Sequence, residues 1–286
     1  MTDTLPEVAV SDADTETRDI YERIMTATGV GSPALIYRHF AVYPGMLAWV
    51  WSIVGASLES GQITAHALKA VGDTPIVPLP AVSAAEMQAT GVDADGHRLI
   101  EAMIATYNRM NPVNLSLITA IRNLLDPTQP PAPAASLPPV AVQPPPVAHK
   151  LPAPLSLNAM RGDVRDAVLD LSAAIPSALP SSGTQVIPTL YRHLAIWPDF
   201  LMHVAPGLLQ AMHRGEVEAR MADLNAAMQP LIDSVTAAAR DANPPAPPLD
   251  DPQAMVTTLN SFLYTIPQLV VVGTALRAAI PTAKTT

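Results

Sequence analysis

The tripeptide Tyr-Arg-His occurs twice in this chain, and the residues around it match as well. Tyr37-Arg38-His39-Phe40-Ala41-Val42-Tyr43-Pro44 stands in the first half; Tyr191-Arg192-His193-Leu194-Ala195-Ile196-Trp197-Pro198 follows 154 residues later. The offset recurs at Gly61 and Gly215. It holds within one residue where Pro112 leads into Thr119-Ala120-Ile121-Arg122 and Pro267 into Thr274-Ala275-Leu276-Arg277. Matched blocks in the same order at so long a period predict two copies of one multi-helix unit rather than a solenoid. Two such copies are expected to pair about a pseudo-twofold axis, as isologous dimers do.

Between the halves lies a proline run. Eleven of the 31 prolines fall between Pro127 and Pro154. Such a stretch is poor in N–H donors and favours extended polyproline II geometry, so it reads as a semi-rigid linker. The expected organisation is a helical repeat over residues 1–126, a Pro-rich linker over 127–158 running across the surface, and a second helical repeat over 159–286. Outside this run, a shorter breaker cluster (242–252) and a loop (72–83), apolar residues recur at helical spacing. No window keeps a strand alternation. The expected fold class is all-α. Proline sets the expected helix limits, with starts at Pro44 and Pro198, and breaks dividing 93–110 from 112–125 and 252–265 from 267–280.

Composition removes several functions. With no cysteine, disulfides, thiolate metal sites and cysteine nucleophiles are excluded. Sixteen Lys+Arg against 25 Asp+Glu give a net charge of −9, which argues against nucleic acid as a partner. Apolar residues reach 49% but aromatics only 4%. That balance suits helices packed through aliphatic side chains. No unbroken apolar run attains the roughly 18 residues of a spanning helix, so no membrane is expected. The N-terminal segment is acidic and lacks the basic and apolar regions of a signal peptide, so the expected location is cytoplasmic.

The usual signatures of chemistry are missing: no phosphate-binding glycine motif, no His-Glu-x-x-His, no nucleophile elbow. None of the seven histidines has a metal-ligand spacing, so neither metal nor cofactor is expected; a haem held by His39 and His193 would have only their symmetry behind it. On a helix His193 shares a face with Thr189 and Leu190, and His39 with Leu35 and Ile36. Each histidine is then either a core residue satisfied by a hydrogen bond or a general base between the copies. Asn111, before Pro112, is replaced by Ile266 before Pro267. It is an asymmetric polar residue on a symmetric scaffold, read as a turn or cap residue or as one that positions a water or a carboxylate.

Together these features resemble the group I 2-haloacid dehalogenases, which act on both D- and L-haloacids and are built from two all-helical repeats joined by a long linker. The resemblance spans nearly the whole chain. It is carried by Tyr107-Asn108-Arg109-Met110-Asn111-Pro112 with Leu117-Ile118-Thr119-Ala120, by Tyr43-Pro44-Gly45, and by Leu194-Ala195-Ile196-Trp197-Pro198. It also implies a distant fold relation to the AhpD-like helical proteins, whose cysteine pair is absent here. The family reaction is direct attack on the halogen-bearing carbon by a water that an aspartate activates and an asparagine holds, at a site between the repeats. By resemblance Asn111 takes the asparagine's place, Leu190 the catalytic aspartate's, and Thr189 the preceding serine's. Ser32 and Leu35 fall near the aromatic pocket positions.

Leucine accepts no proton, so His193 is the expected substitute base, with Asn111 as its catalytic companion. Arg38 or Arg192 is expected to bind a substrate carboxylate by charge-assisted hydrogen bonds. The reading is a 2-haloacid dehalogenase-like protein acting on a small-molecule carboxylate, with a homodimer left open. Two alternatives stand beside it: a non-catalytic protein binding a small carboxylate or apolar ligand on the same scaffold, and a helical partner-binding protein whose polyproline-like segment docks an aromatic groove.

Overall fold

The computed structural model describes residues 5–126, 128, 137–146, 149–175 and 187–283. The remaining parts of the proline run lie outside the described residues. Eleven α-helices and no strand occur among the described residues, so the protein is all-α as expected. The helices are α1 (Thr15–Thr28), α2 (Leu35–Phe40), α3 (Met46–Glu59), α4 (Gln62–Gly72), α5 (Ala84–Ala89), α6 (Ala94–Leu125), α7 (Gly162–Ala173), α8 (Thr189–Leu194), α9 (Pro198–His213), α10 (Glu216–Asp241) and α11 (Pro252–Ala279). Local chemistry sets many of their starts. The Asp14 carboxylate accepts from the Thr17 N–H at 2.8 Å, and the Asp93 carboxylate from the Gly96 N–H at 2.7 Å. Each satisfies a donor that the helix itself leaves open. Ser83 with Glu86 forms a capping box at the start of α5. Pro198 opens α9 as expected, whereas α3 begins two residues after Pro44, at Met46, following Gly45 in the left-handed region.

The expected breaks at Asn111-Pro112 and Ile266-Pro267 do not occur. α6 and α11 run straight through Pro112 and Pro267 and pack along one another as the central pair. An interior proline removes one helical hydrogen bond and costs about 3 kcal/mol. Every residue from Met110 to Ile118 is buried. Val113, Leu115, Leu117 and Ile118 alone contribute roughly 6–12 kcal/mol, at about 1.5–3 kcal/mol each. Burial therefore outweighs the proline. The merging also alters the hydropathy reading, because α11 as one helix is long and apolar enough, by length and composition alone, to cross a membrane. Most of its apolar stretch is buried against the rest of the chain, as in a core helix.

The two duplicated tyrosines each make a buried hydrogen bond. The Tyr37 hydroxyl donates to Asn114 Oδ1 at 2.9 Å, and Gln268 Nε2 donates to the Tyr191 hydroxyl at 3.0 Å. Tyr37 and Tyr191 are 154 residues apart, and their partners stand on α6 and α11, with Gln268 one residue before the counterpart of Asn114.

The Pro-rich segment is not a loose surface connection. Gln62 binds the Val140 main chain twice, through Nε2 to the carbonyl at 3.1 Å and Oε1 to the N–H at 3.2 Å. Farther on, Arg192 Nε donates to the Leu155 carbonyl at 2.8 Å, and the Leu155 N–H returns a bond to the Arg192 carbonyl at 3.3 Å. Gly31 forms the seat between these points. A Cβ there would lie 2.2 Å from the His149 carbonyl oxygen. Only glycine lets the two backbones approach this closely. Residues 137–146 and 149–155 thus form a strap held against the helices.

Candidate functional site

Under the strap lies a cavity of about 460 Å³. That is within the usual range for small-molecule sites. One wall is the middle of α6, with Thr106, Tyr107, Met110, Asn111 and Asn114. Its neighbour α11 adds Phe262, Thr265, Ile266 and Leu269. The residues leading into α2 and α8 close the sides, and His149 to Pro154 of the strap form the roof. The α6 wall is the more polar; α11 presents mainly apolar side chains.

Most of the expected site residues meet here. Ser32, Leu35, Arg38, Asn111, Thr189 and His193 all line the cavity. Two do not. Leu190 is 0% exposed and packs in the core. Along the helix its side chain is turned about 100° from that of Thr189 and about 60° from that of His193, which carries it off the cavity wall and into the core. Arg192 is engaged with the strap main chain and does not line the cavity. Arg38 and Lys150 bring positive charge, and among the described residues no aspartate or glutamate lines the space, although the chain carries 25 of them. Arg38 Nη1 donates to Glu7 at 3.0 Å, while its buried Nε has no partner. Asn111 is 7% exposed, and its Nδ2 likewise lacks a partner. A buried N–H left unpaired costs about 1–3 kcal/mol, so both donors are poised for an acceptor in the cavity.

His193 is held at both nitrogens. Nε2 lies 2.8 Å from the Pro152 carbonyl oxygen. A carbonyl only accepts, so this bond assigns the proton to Nε2. Nδ1 is then the acceptor, and the Tyr107 hydroxyl donates to it at 2.6 Å. His193 is 6% exposed. Burial lowers its pKa; the Pro152 bond acts the other way, and the Arg192 charge adds to the lowering. Burial raises the Tyr107 phenol above its ordinary value, against the pull of Arg192 and Arg38. His39, its sequence counterpart, faces away from the cavity and bonds the Pro6 carbonyl through Nδ1 at 2.7 Å.

Tyr107 carries the family resemblance in the sequence but no expected site role, although it stands four residues before Asn111, on the same helix face. Phe262, Ile266 and Leu269, at corresponding places on α11, could have been found in the same way. Among the described residues no cluster of histidine, aspartate or glutamate could hold a metal ion.

No protein-family model matches the sequence, and no curated protein matches it. Solved structures do. A D-2-haloacid dehalogenase mutant in complex with D-2-CPA is similar with a TM-score of 0.68 and 17% identity, over 96% of this chain and 94% of that one. A D-2-haloacid dehalogenase mutant gives 0.72 at 17%, and a complex of D-2-haloacid dehalogenase with L-LA gives 0.71 at 18%, each over 96% of both chains. The protein has a haloacid dehalogenase-like fold.

Proposed function

We propose that the cavity binds a small monocarboxylate bearing an apolar 2-substituent, of the 2-haloalkanoic acid type. The observation that carries this reading is the asymmetry of the walls. Arg38, Lys150 and the unpaired Asn111 amide line a space without acidic lining among the described residues, and α11 contributes mainly apolar surface to it. Likeness in fold to D-2-haloacid dehalogenases, one in complex with D-2-CPA, supports the same ligand class. The family's own base, an aspartate at the place of Leu190, is not part of this site.

The volume narrows the class. The cavity measures about 460 Å³. At about 30 Å³ per water it has room for roughly fifteen waters, far more than a propionate displaces. Longer substituents therefore reach the α11 wall. Each buried methylene is worth about 0.8 kcal/mol, so 2-bromohexanoate, with three more than 2-bromopropionate, should bind about 50-fold tighter. Calorimetry with both acids and with 2-bromohexanamide tests this. The uncharged amide should bind at least about tenfold more weakly, since it forgoes the charge-assisted bonds. Equal affinity for acid and amide, or no binding of either acid, refutes the reading.

We propose also that residues 1–126 and 159–286 are two copies of one unit. The bonds from the matched Tyr37 and Tyr191 to α6 and α11 support this, as does the parallel order of α1–α4 and α6 with α7–α11.

A further inference from the structure

We infer that the cavity turns its ligand over, with Tyr107 and His193 acting in series as the proton acceptor for a water on the Asn111 amide. This rests on the carboxylate-binding reading above. Water needs a partner that takes its proton as it attacks, an effect typically worth about 10²–10⁴-fold in rate. No carboxylate among the described lining residues can do so, and His193 cannot act directly because Nδ1 already accepts from Tyr107. The Tyr107 oxygen is the remaining route. Tyr107 lines the cavity, and its hydroxyl is joined to a neutral imidazole by a 2.6 Å bond. It also stands one helical turn from Asn111.

The step balances with nothing added. The water oxygen bonds to C2 of the acid while the carbon–halogen bond breaks, and the halide leaves with the electron pair. The water proton passes to the Tyr107 oxygen as the phenolic proton moves to His193 Nδ1. The products are a 2-hydroxy acid, halide and a His193 imidazolium, which returns its proton to solvent. Burial disfavours a Tyr107 phenolate, so the two transfers occur together rather than through a charged tyrosine. Pro152 has a matching part: its carbonyl holds Nε2–H, fixes Nδ1 as the accepting nitrogen and strengthens its bond once the ring is charged.

The charged groups around His193 set the limits of the device. Arg192 lies on its own helix, Arg38 on α2, and Lys150 with His149 on the strap; α11 offers only Phe262, Thr265, Ile266 and Leu269. Cations oppose the imidazolium, so turnover is slower than a carboxylate would give.

The test combines halide release with calorimetry on the intact protein, using 2-bromohexanoate between about pH 5 and pH 9. Wild type should release bromide at a rate that rises through one ionisation below the ordinary histidine value of about 6.5 and is flat above it. Tyr107→Phe and His193→Gln should each lower kcat about 100-fold while the Kd changes less than about twofold. Retained binding shows that either variant is folded and that its site is intact. Binding by wild type without bromide release overturns the relay alone. So does Tyr107→Phe at the wild-type rate, or a pH profile unchanged in His193→Gln. Absence of binding by wild type removes the carboxylate site itself, and the relay with it.

Discussion

Replacing Leu190 by aspartate puts back the side chain that the family resemblance places there, and the fold says that it should fail. Leu190 is 0% exposed and belongs to the core rather than to the cavity. Removing a buried leucine side chain costs about 2–5 kcal/mol, and an unpartnered carboxyl in its place about 1–3 kcal/mol more even when neutral. A loss of roughly 3–8 kcal/mol compares with about 5–15 kcal/mol for the whole stability of a typical domain. The pH dependence identifies the cause. Burial without a partner raises the folded-state carboxyl pKa, so the folded state holds a proton that the unfolded state releases above about 3.9. Stability must then fall as pH rises from there to the raised folded value, by up to about 1.4 kcal/mol per pH unit. Urea denaturation of Leu190→Asp at about pH 5 and pH 7 should show this slope, and Leu190→Asn, similar in size but without a titrating group, should lack it. A Leu190→Asp protein as stable as wild type at neutral pH, and faster in bromide release, would refute the placement of Leu190 in the core.

Three further outcomes follow from the same structure. Gly31→Ala brings a Cβ to 2.2 Å from the His149 carbonyl, which must move the strap; limited proteolysis should cut the Pro-rich segment faster, whereas Gly162→Ala, with open space around it, should match wild type. His193 is neutral in the fold and has a lowered pKa, so the unfolded state binds the extra proton and stability falls as pH drops below about 6.5; His193→Gln should flatten this slope in urea titrations. Tyr37→Phe leaves Asn114 Oδ1 without its donor and should cost about 1–3 kcal/mol. Tyr191→Phe should cost only about 0.5–1.5 kcal/mol, the net worth of one hydrogen bond. There Gln268 Nε2 keeps its bond to the Leu171 carbonyl, and thermal unfolding ranks the two variants.

Helical periodicity made the fold class legible, and the Thr189–His193 face of α8 was readable as part of a site. Where the reading failed, tertiary burial had overruled a local rule. Pro112 and Pro267 read as helix boundaries because a proline breaks one hydrogen bond, but the local sequence does not disclose that both stretches are buried on every side. One of the two readings of Asn111, a turn or cap residue, rested on the same break; it is a mid-helix side chain in a cavity wall. Leu190 was drawn toward the pocket by the family pattern and by its i−3 spacing from His193, but its side chain turns into the core instead. The strap was the least legible part. Composition describes how a proline-rich segment is built but not where it rests, and the only sequence trace of its seat is the Gly29-Val30-Gly31 triplet.

The hydrogen bonds that hold the strap run through its main chain, while Leu137, Leu151 and Leu155 pack against the core. Gln62 reads both polar groups of Val140, Arg192 both of Leu155, His193 the carbonyl of Pro152, and Gly31 abuts that of His149. Prolines have no N–H to offer, so carbonyls are the natural handles of such a segment. A latch whose hydrogen bonds ignore side chains leaves the exposed ones, such as Lys150, free to drift. Across descendants of this chain the roof can therefore change the chemistry it shows the cavity, Lys150 included, while the catch on the helices stays the same. New ligand preferences can then arise by substitution in the strap without rebuilding the helical frame below it.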